Sequence, residues 1–331
     1  MSGLEKLLTP LPKYRAKQIF AWINSGISSF ELMSNLPRSL RAELDKRFCL
    51  RKTSLVSTVE DPVSGAIKLK IGIEGGFIEV VALVDAAGRR TACLSTQLGC
   101  GMGCVFCKTG SLGFTRDLDG SEIIEQFYHI QALYPDIANI VFMGMGEPLL
   151  NLSGLRQAIS VLCETLSPRR ITVSTCGITA GINSLADDGP AVRLALSLTS
   201  ARETLRQKLM PVSAANPLAA LKEALLRHQK RHGRRLTLEA VLLGAINTGA
   251  EDAAAIAAFS QNLDVVVNLI PWNPVENLYF NGMPLKEPSS AELRRFCAEL
   301  ERHGLKTVMR REKGRGIAGA CGQLGGTSAG L

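Results

Sequence analysis

No stretch of this 331-residue chain approaches the ~18 uninterrupted apolar residues that a membrane-crossing helix needs, and Met1-Ser-Gly-Leu-Glu-Lys holds no apolar h-region. Neither a membrane span nor a signal peptide is expected, and the protein reads as soluble and cytoplasmic. No internal repeat or low-complexity tract is evident apart from a Gly-rich tail, residues 325–331, expected to be flexible. Cysteine is sparse for the length: nine residues, at 49, 93, 100, 104, 107, 163, 176, 297 and 321. An odd, thinly spread set does not make a secreted disulfide scaffold, so these thiols should be reduced, ligating or catalytic. With 46% hydrophobic residues the chain can bury a large core, enough for one full-sized α/β domain and a small accessory one.

The formal charge is +8, from 38 Lys and Arg against 30 Asp and Glu, which favours a polyanionic partner. Basic residues gather in Lys13 to Lys17, Arg38 to Lys52, Arg227 to Arg235 and Arg310 to Arg315. A solvated helix face would explain any one cluster, whereas four together lean toward phosphate contacts. The four histidines, 129, 228, 232 and 303, lie in helix-like or basic segments and read as solvent-facing.

Residues 1–52 read as a helical accessory module, with Ile19, Phe20, Trp22 and Ile23 on one side of a helix and Leu36-Pro37 as punctuation. Residues 53–92 shift to short strands broken by Asp61-Pro62, Gly75-Gly76 and Ala87-Gly88. In residues 93–324 apolar runs near 140, 171, 194, 236, 265 and 306 alternate with helix-like segments. Repeated strand–helix units imply an α/β fold with a parallel sheet whose strand ends form the active face, and about six strands favour a partial (β/α) barrel.

The segment Cys100-Gly-Met-Gly-Cys104-Val-Phe-Cys107 carries the strongest chemistry. Thiolates suit iron–sulfur clusters or zinc. A closed structural zinc site needs four ligands, and the only other nearby thiol, Cys93, is seven residues upstream. Three thiolates can instead hold three irons of a cubane and leave the fourth open for chemistry. Further along, Phe142-Met-Gly-Met-Gly-Glu-Pro148 ends a strand with two glycines and a carboxylate, which suits close approach to a ligand and recognition of an amino group. Ser174-Thr-Cys-Gly177, Ser197-Leu-Thr199 and Asn268-Leu-Ile-Pro-Trp-Asn-Pro274 are similar polar strand ends.

Taken together with Cys93-Leu-Ser-Thr-Gln-Leu-Gly-Cys100, Gly113-Phe-Thr-Arg116, Met210-Pro211, Ala320-Cys-Gly-Gln-Leu324 and the amino-terminal Tyr14-Arg-Ala-Lys-Gln, these motifs cover nearly the whole chain. The sequence resembles the RlmN/Cfr family of radical S-adenosylmethionine RNA adenine methyltransferases. That resemblance implies a partial (β/α)6 radical-SAM barrel with a small N-terminal helical module and a short β-rich extension. It implies a 4Fe-4S cluster on Cys100, Cys104 and Cys107, and S-adenosylmethionine contacts at Gly146, Glu147, Ser174, Ser197, Leu198, Thr199 and Asn273. Two S-adenosylmethionine molecules would be used per turnover.

An adenine ring carbon is too weakly nucleophilic to take a methyl directly from a sulfonium, so the methyl needs a carrier with an abstractable hydrogen. The resemblance places that role on Cys321, with a 5′-deoxyadenosyl radical removing hydrogen from its S-methyl group to give a protein–RNA adduct. Cys93 would then resolve the adduct by forming a disulfide with Cys321, and Glu79, in Phe77-Ile-Glu-Val-Val, would accept the ring proton. Glu79 stands one residue further from Cys93 than the family pattern has it. The remaining cysteines, 49, 163, 176 and 297, read as buried small apolar residues. The chain departs from the pattern at Thr199, where His is usual, at Cys176, and at Gly316, where an acidic residue is usual.

The expected reaction is methylation at C2 of a peptidyl-transferase-centre adenosine of 23S rRNA, with tRNA adenosine beside the anticodon as a further substrate. A flavodoxin or ferredoxin would donate electrons, and the enzyme would act as a monomer. The nearest competing reading is C8 methylation of the same rRNA adenosine, as in Cfr-like resistance enzymes, and Pro271-Trp272 leans toward the RlmN side. A non-catalytic iron–sulfur or RNA-binding protein is the alternative of a different class, one with no use for Cys93 and Cys321 as a pair.

Overall fold

The computed structural model describes residues 8–310 and 313–325. At its amino end, helices Lys13–Asn24 and Arg38–Arg47 each follow a proline, Pro12 or Pro37, whose missing N–H costs nothing at a helix start. Ile19, Phe30, Met33, Leu36, Leu40 and Leu44 form a small core of their own, separate from the main one. This module is tied to the rest through Glu125, a buried carboxylate that accepts from Lys52 N (3.0 Å), Thr53 N (2.8 Å) and Thr53 Oγ1 (2.7 Å). Tyr128 adds a hydrogen bond to Asn24 Oδ1 at 2.7 Å.

The strands are β1 (Ser54–Glu60), β2 (Ile67–Ile73), β3 (Gly76–Val84), β4 (Arg90–Cys93), β5 (Gln97–Cys100), β6 (Gly113–Asp117), β7 (Ile137–Phe142), β8 (Ile171–Thr175), β9 (Arg193–Ser197), β10 (Leu236–Leu242), β11 (Val265–Pro271), β12 (Tyr279–Phe280), β13 (Met283–Pro284) and β14 (Thr307–Met309). Ten of them form one sheet in the order β1-β2-β3-β4-β7-β8-β9-β10-β11-β14, while β5–β6 and β12–β13 are separate hairpins. Pairing is antiparallel from β1 to β4 and parallel from β4 to β14. Helices Gly120–Leu133, Leu152–Leu162, Thr179–Asp188, Leu218–His232, Ala250–Ser260 and Ser290–Arg302 connect the parallel strands. Capping boxes at Asp119/Glu122 and Ser289/Glu292 start two of them by satisfying otherwise orphaned N–H groups.

The partial barrel expected from the sequence is borne out. Its parallel run holds seven strands among the described residues, one more than the apolar runs suggested. The extra strand is β4, Arg-Thr-Ala-Cys, which is too short and too mixed to register as an apolar run. The sheet's two ends, β1 and β14, are not paired with each other among the described residues. The chain after β14 crosses back to the antiparallel side: Lys313 Nζ donates to Val84 O, Gly314 N to Ser64 Oγ (3.1 Å) and Lys68 Nζ to Ala318 O (3.4 Å). The flexible tail expected at residues 325–331 lies, after Gly325, outside the described residues.

Strand ends facing the barrel mouth are fixed by Arg206, which is 1% exposed. Its Nη1 donates to Ser197 O at 3.0 Å and to Leu198 O, and its Nη2 donates to Cys176 O at 2.6 Å. One guanidinium therefore fastens the ends of β8 and β9 together. Arg206→Met keeps the apolar stem but leaves buried carbonyls without donors, and should lower stability by about 2–4 kcal/mol. Chemical denaturation checks this, and an unchanged midpoint would show that those carbonyls find other donors.

Candidate active site

The three motif cysteines begin at the carboxyl end of β5, in the β5–β6 hairpin. Cys100 is the last residue of that strand, Cys104 lies in the turn, and Cys107 precedes the short helix Lys108–Ser111. The loop is pinned by Val105 N to Leu209 O (3.0 Å) and Cys107 N to Cys104 O (3.1 Å). Trp272 adds a bond from its indole nitrogen to Phe106 O (2.9 Å). All three thiols line one cavity of about 130 Å³. Burial pushes each thiol upward, Cys100 to about 11 and Cys104 further still, with neighbouring thiols adding to the effect at Cys100 and Cys104. Among the described residues no three His, Cys, Asp or Glu converge on a point suited to a single metal ion. Ligands to separate irons of a cluster do not have to converge in that way.

The same cavity collects Gly146, Glu147, Ser174, Ser197 and Asn273, five of the seven residues expected at the cofactor. Leu198 and Thr199 are buried and do not line it. Thr199 is held at φ 56, a left-handed conformation that a β-branched residue rarely adopts. Its amide donates to Glu239 O (3.0 Å) and its carbonyl accepts from Asn247 Nδ2 (2.9 Å). The two glycines of the Met-Gly-Met-Gly-Glu segment answer first to the protein itself. A Cβ at Gly144 would stand 2.6 Å from Ser95 Oγ, and one at Gly146 2.5 Å from the Gln97 side chain. Glu147 is buried and pushed upward by that burial, while Cys176 N (2.8 Å) and Leu149 N (3.0 Å) donate to its two oxygens.

A second cavity, of about 410 Å³, contains Cys93 on one wall and Arg310 on another. Cys321 lines both cavities and stands where they meet. Its loop is held by Asn273 Nδ2 to Cys321 O (3.0 Å), Lys108 N to Gly322 O (2.8 Å), Gln323 Nε2 to Pro274 O (3.0 Å) and Thr109 Oγ1 to Leu324 O (2.7 Å). Burial, and then proximity to Cys321, pushes the Cys93 thiol up to about 12. Cys321 is exposed at the mouth yet hemmed in by protein, and its thiol rises to about 11. The Arg310 guanidinium pulls both thiols in the opposite direction. Both are free thiols, so the disulfide expected during turnover is absent from this structure.

Glu79 lines neither cavity. It borders a neighbouring one with Lys108 and Gly325, pairs with Lys68 Nζ at 2.9 Å and accepts from Gly325 N at 2.6 Å. It shares a sheet face with Cys93, since Val81 lies directly opposite Cys93 and Glu79 is two residues from Val81.

Two charged cavity residues lie outside the sequence motifs. Glu239 is a carboxylate in the middle of apolar β10, a pattern that signals it, and Arg310 belongs in sequence to a basic cluster. That cluster does not form one phosphate patch: Arg310 faces a cavity, Arg315 pairs with Glu287 (2.9 Å) and Arg311 lies outside the described residues. His228 is buried rather than solvent-facing, and burial lowers it to about 4. Cys49 is exposed rather than buried, and Cys163 and Cys297 are half-buried.

A family model described as the Radical SAM superfamily matches residues 94–247, and one described as the ribosomal RNA large subunit methyltransferase N-terminal domain matches residues 5–50. A probable dual-specificity RNA methyltransferase RlmN of Treponema denticola is 47% identical over 96% of this chain and 91% of its own. A protein of the same description from Treponema pallidum is 43% identical over 98% and 95%. The chain belongs to the RlmN family of radical S-adenosylmethionine methyltransferases. A crystal structure of a radical SAM methyltransferase from Sphaerobacter thermophilus superposes with a TM-score of 0.89 at 35% identity, covering 95% of this chain and 94% of that one. Superfamily membership implies use of S-adenosylmethionine and an iron–sulfur cluster. The cavity fits such groups: it gathers three soft thiols, and Glu239 Oε1 and Asn273 Oδ1 on its wall are buried with no hydrogen-bond partner.

A raised thiol pKa leaves little reactive thiolate at neutral pH. In cluster-free protein at pH about 7.5, iodoacetamide should modify exposed Cys49 well before Cys93 and Cys321. Labelling of the latter two should rise about tenfold per pH unit between pH about 8 and 10. Peptide mass spectrometry over a pH series checks this, and pH-independent labelling would contradict it.

Proposed function

We propose that the chain methylates C2 of a peptidyl-transferase-centre adenosine in 23S rRNA, and of a tRNA adenosine beside the anticodon, using Cys321 as methyl carrier. The observation that carries this reading is Cys321 itself, the one residue among the nine cysteines that lines both the cavity of the motif thiols and the cavity of Cys93. A carrier must meet the methyl source on one side and its acceptor and resolving partner on the other. Relatives described as dual-specificity RNA methyltransferases support the two-substrate scope.

In this reading Cys100, Cys104 and Cys107 hold a 4Fe-4S cluster. Gly146, Glu147, Ser174, the Ser197–Thr199 turn and Asn273 shape the S-adenosylmethionine site, with Leu198 and Thr199 acting by supporting that turn from behind. When bound, the cluster and S-adenosylmethionine supply a methyl group and the one-electron chemistry that makes it reactive, with a flavodoxin or ferredoxin as electron source. Cys321 contributes the nucleophilic sulfur and holds the methyl at the junction. Arg310 favours the thiolate of both partners in a site where burial disfavours it. The Cys93 thiolate attacks the sulfur that Cys321 would share with the adducted base; the S–S bond forms as the sulfur–methylene bond breaks, and the electron pair passes to that carbon, which takes a proton to become the methyl group. Glu79 lines neither cavity and holds the Cys321 loop through Gly325 N, so to accept the ring proton it would have to exchange that bond, or its pairing with Lys68, for the base. The target base must be unstacked to enter the wider cavity.

RNA from a strain lacking its own enzyme and complemented with this chain should contain 2-methyladenosine; 8-methyladenosine instead would overturn the C2 assignment. Cys93→Ala should accumulate a covalent protein–RNA adduct under reducing turnover, visible as a shifted band that nuclease digestion collapses. Full turnover in that variant would remove Cys93 from its proposed role.

A further inference from the structure

We propose that Arg310 binds the target adenine by donating to a ring nitrogen beside C2, an inference that rests on the reading of the larger cavity as the place where the base enters. Arg310 directly follows β14, and its amide donates to Leu269 O at 2.9 Å, prolonging the pairing with β11. That pairing brings its side chain to a cavity wall shared with Cys93 and Cys321. A guanidinium carries five N–H donors. Among the described residues Nη1 meets Met143 Sδ and Glu239 Oε1, each at 3.8 Å, while Nε and Nη2 meet no acceptor. A thioether is a weak acceptor, and 3.8 Å is too long for a hydrogen bond to oxygen. Arg206, by contrast, gives its donors to three backbone carbonyls. Arg310 therefore holds donors in reserve at the wall of a cavity, where a ligand acceptor is their natural complement.

The rest of the cavity narrows what that acceptor can be. Leu83, Val84, Ile270, Pro271 and Leu324 make its walls largely apolar. Its other charged side chains are engaged: Asp85 accepts from Ala87 N (2.8 Å) and Arg89 Nε (2.7 Å), and Lys313 Nζ donates to Val84 O. Glu239 already offsets the charge of Arg310, so no second anion such as a phosphate is called for, and a neutral acceptor is favoured. A flat ring with acceptors on its edge meets both conditions. In adenine those acceptors are N1, N3 and N7. C2 is flanked by N1 and N3, whereas C8 is flanked by N7 and by the glycosidic N9, which accepts nothing. Because Cys321 shares the cavity with Arg310, a donor on N1 or N3 turns C2 toward that sulfur, and a donor on N7 turns C8. The same contact aids bond formation. As the sulfur-bound carbon joins C2, a ring C=N π bond opens and the unpaired electron passes onto the ring nitrogens, where a charged donor stabilises the added electron density.

The test is binding of a synthetic anticodon stem-loop to cluster-loaded protein without reductant, read by fluorescence anisotropy. The adenosine beside the anticodon is replaced in turn by 1-deaza-, 3-deaza- and 7-deazaadenosine, each of which exchanges one ring nitrogen for C–H. Wild type should bind the 1-deaza or the 3-deaza RNA about tenfold more weakly than the parent, the loss of a charge-assisted hydrogen bond, and the 7-deaza RNA as well as the parent. Arg310→Met should bind the parent more weakly by a similar factor. It should then show little further loss with that same deaza RNA. Equal binding of the parent, 1-deaza and 3-deaza RNAs to wild type would overturn the proposal with no substitution involved, as would a loss confined to the 7-deaza RNA. So would independent, multiplying losses from the substitution and the missing nitrogen. A wild type that binds no RNA of the series would overturn the reading of the larger cavity itself, a different outcome from the loss of Arg310 alone.

Discussion

The site depends on how the chain after β14 is held across the open barrel. Residues 319–325, Gly-Ala-Cys-Gly-Gln-Leu-Gly, bring few large apolar side chains, so burial contributes little to fixing their path. Hydrogen bonds do that work instead, because a backbone crossing a protein surface must find partners for its polar groups. Asn273 with Pro274, Lys108 with Thr109, and Glu79 take bonds to the segment from three different parts of the fold. Leu324 is the apolar exception, buried at 4% exposure in the main core. The sulfur of Cys321 is thus positioned by the barrel, the cysteine loop and the antiparallel extension at once.

Electrostatics makes the same region quiet until it is loaded. Burial raises the thiols of Cys93, Cys100, Cys104, Cys107 and Cys321, and nearby carboxylates and thiols reinforce the effect at most of them. Metal coordination reverses that balance outright, since a coordinated thiol gives up its proton. The cations supplied by the protein are few and placed with economy. Arg206 spends its donors on backbone carbonyls under the strand ends, and Arg310 faces the two thiols that no metal is proposed to hold. Arg310 thus stands where cluster charge is not expected to help.

Much of this was legible in the sequence because the relevant chemistry is written in short motifs. The cysteine trio, Cys93 and Cys321 each sit in a local pattern, and the alternation of apolar runs sufficed for the parallel sheet. What escaped was long-range or hidden by context. β4 is four residues long and mixed, so its parallel pairing with β7 emerges only in the folded sheet. Glu239 is hidden in the sequence because the apolar run around it, Leu236–Leu242, masks a single buried carboxylate. Gly144 and Gly146 were read as making room for a ligand, whereas both lie against residues 94–97 of the chain itself. Basic clusters suggested phosphate contacts, yet Arg227 pairs with Asp187 (2.5 Å), Arg235 with Asp264 (2.7 Å) and Lys52 with Asp119 (2.7 Å).

Two adjoining cavities that share one thiol impose a physical division of labour. The smaller is lined by soft thiols and buried oxygen acceptors. The larger holds Cys93 and Arg310 and is wide enough for an extruded base to approach. If both functions occupied one chamber, Cys93 would stand beside the motif thiols and, on the proposed reading, would compete with them as a ligand. Cys93, at the end of β4, lines only the larger cavity, which separates it from the motif thiols while keeping it near Cys321. The loop that bears Cys321 stands between the two cavities, which gives a physical reason for the barrel, the cysteine loop and the antiparallel extension all to hold its backbone.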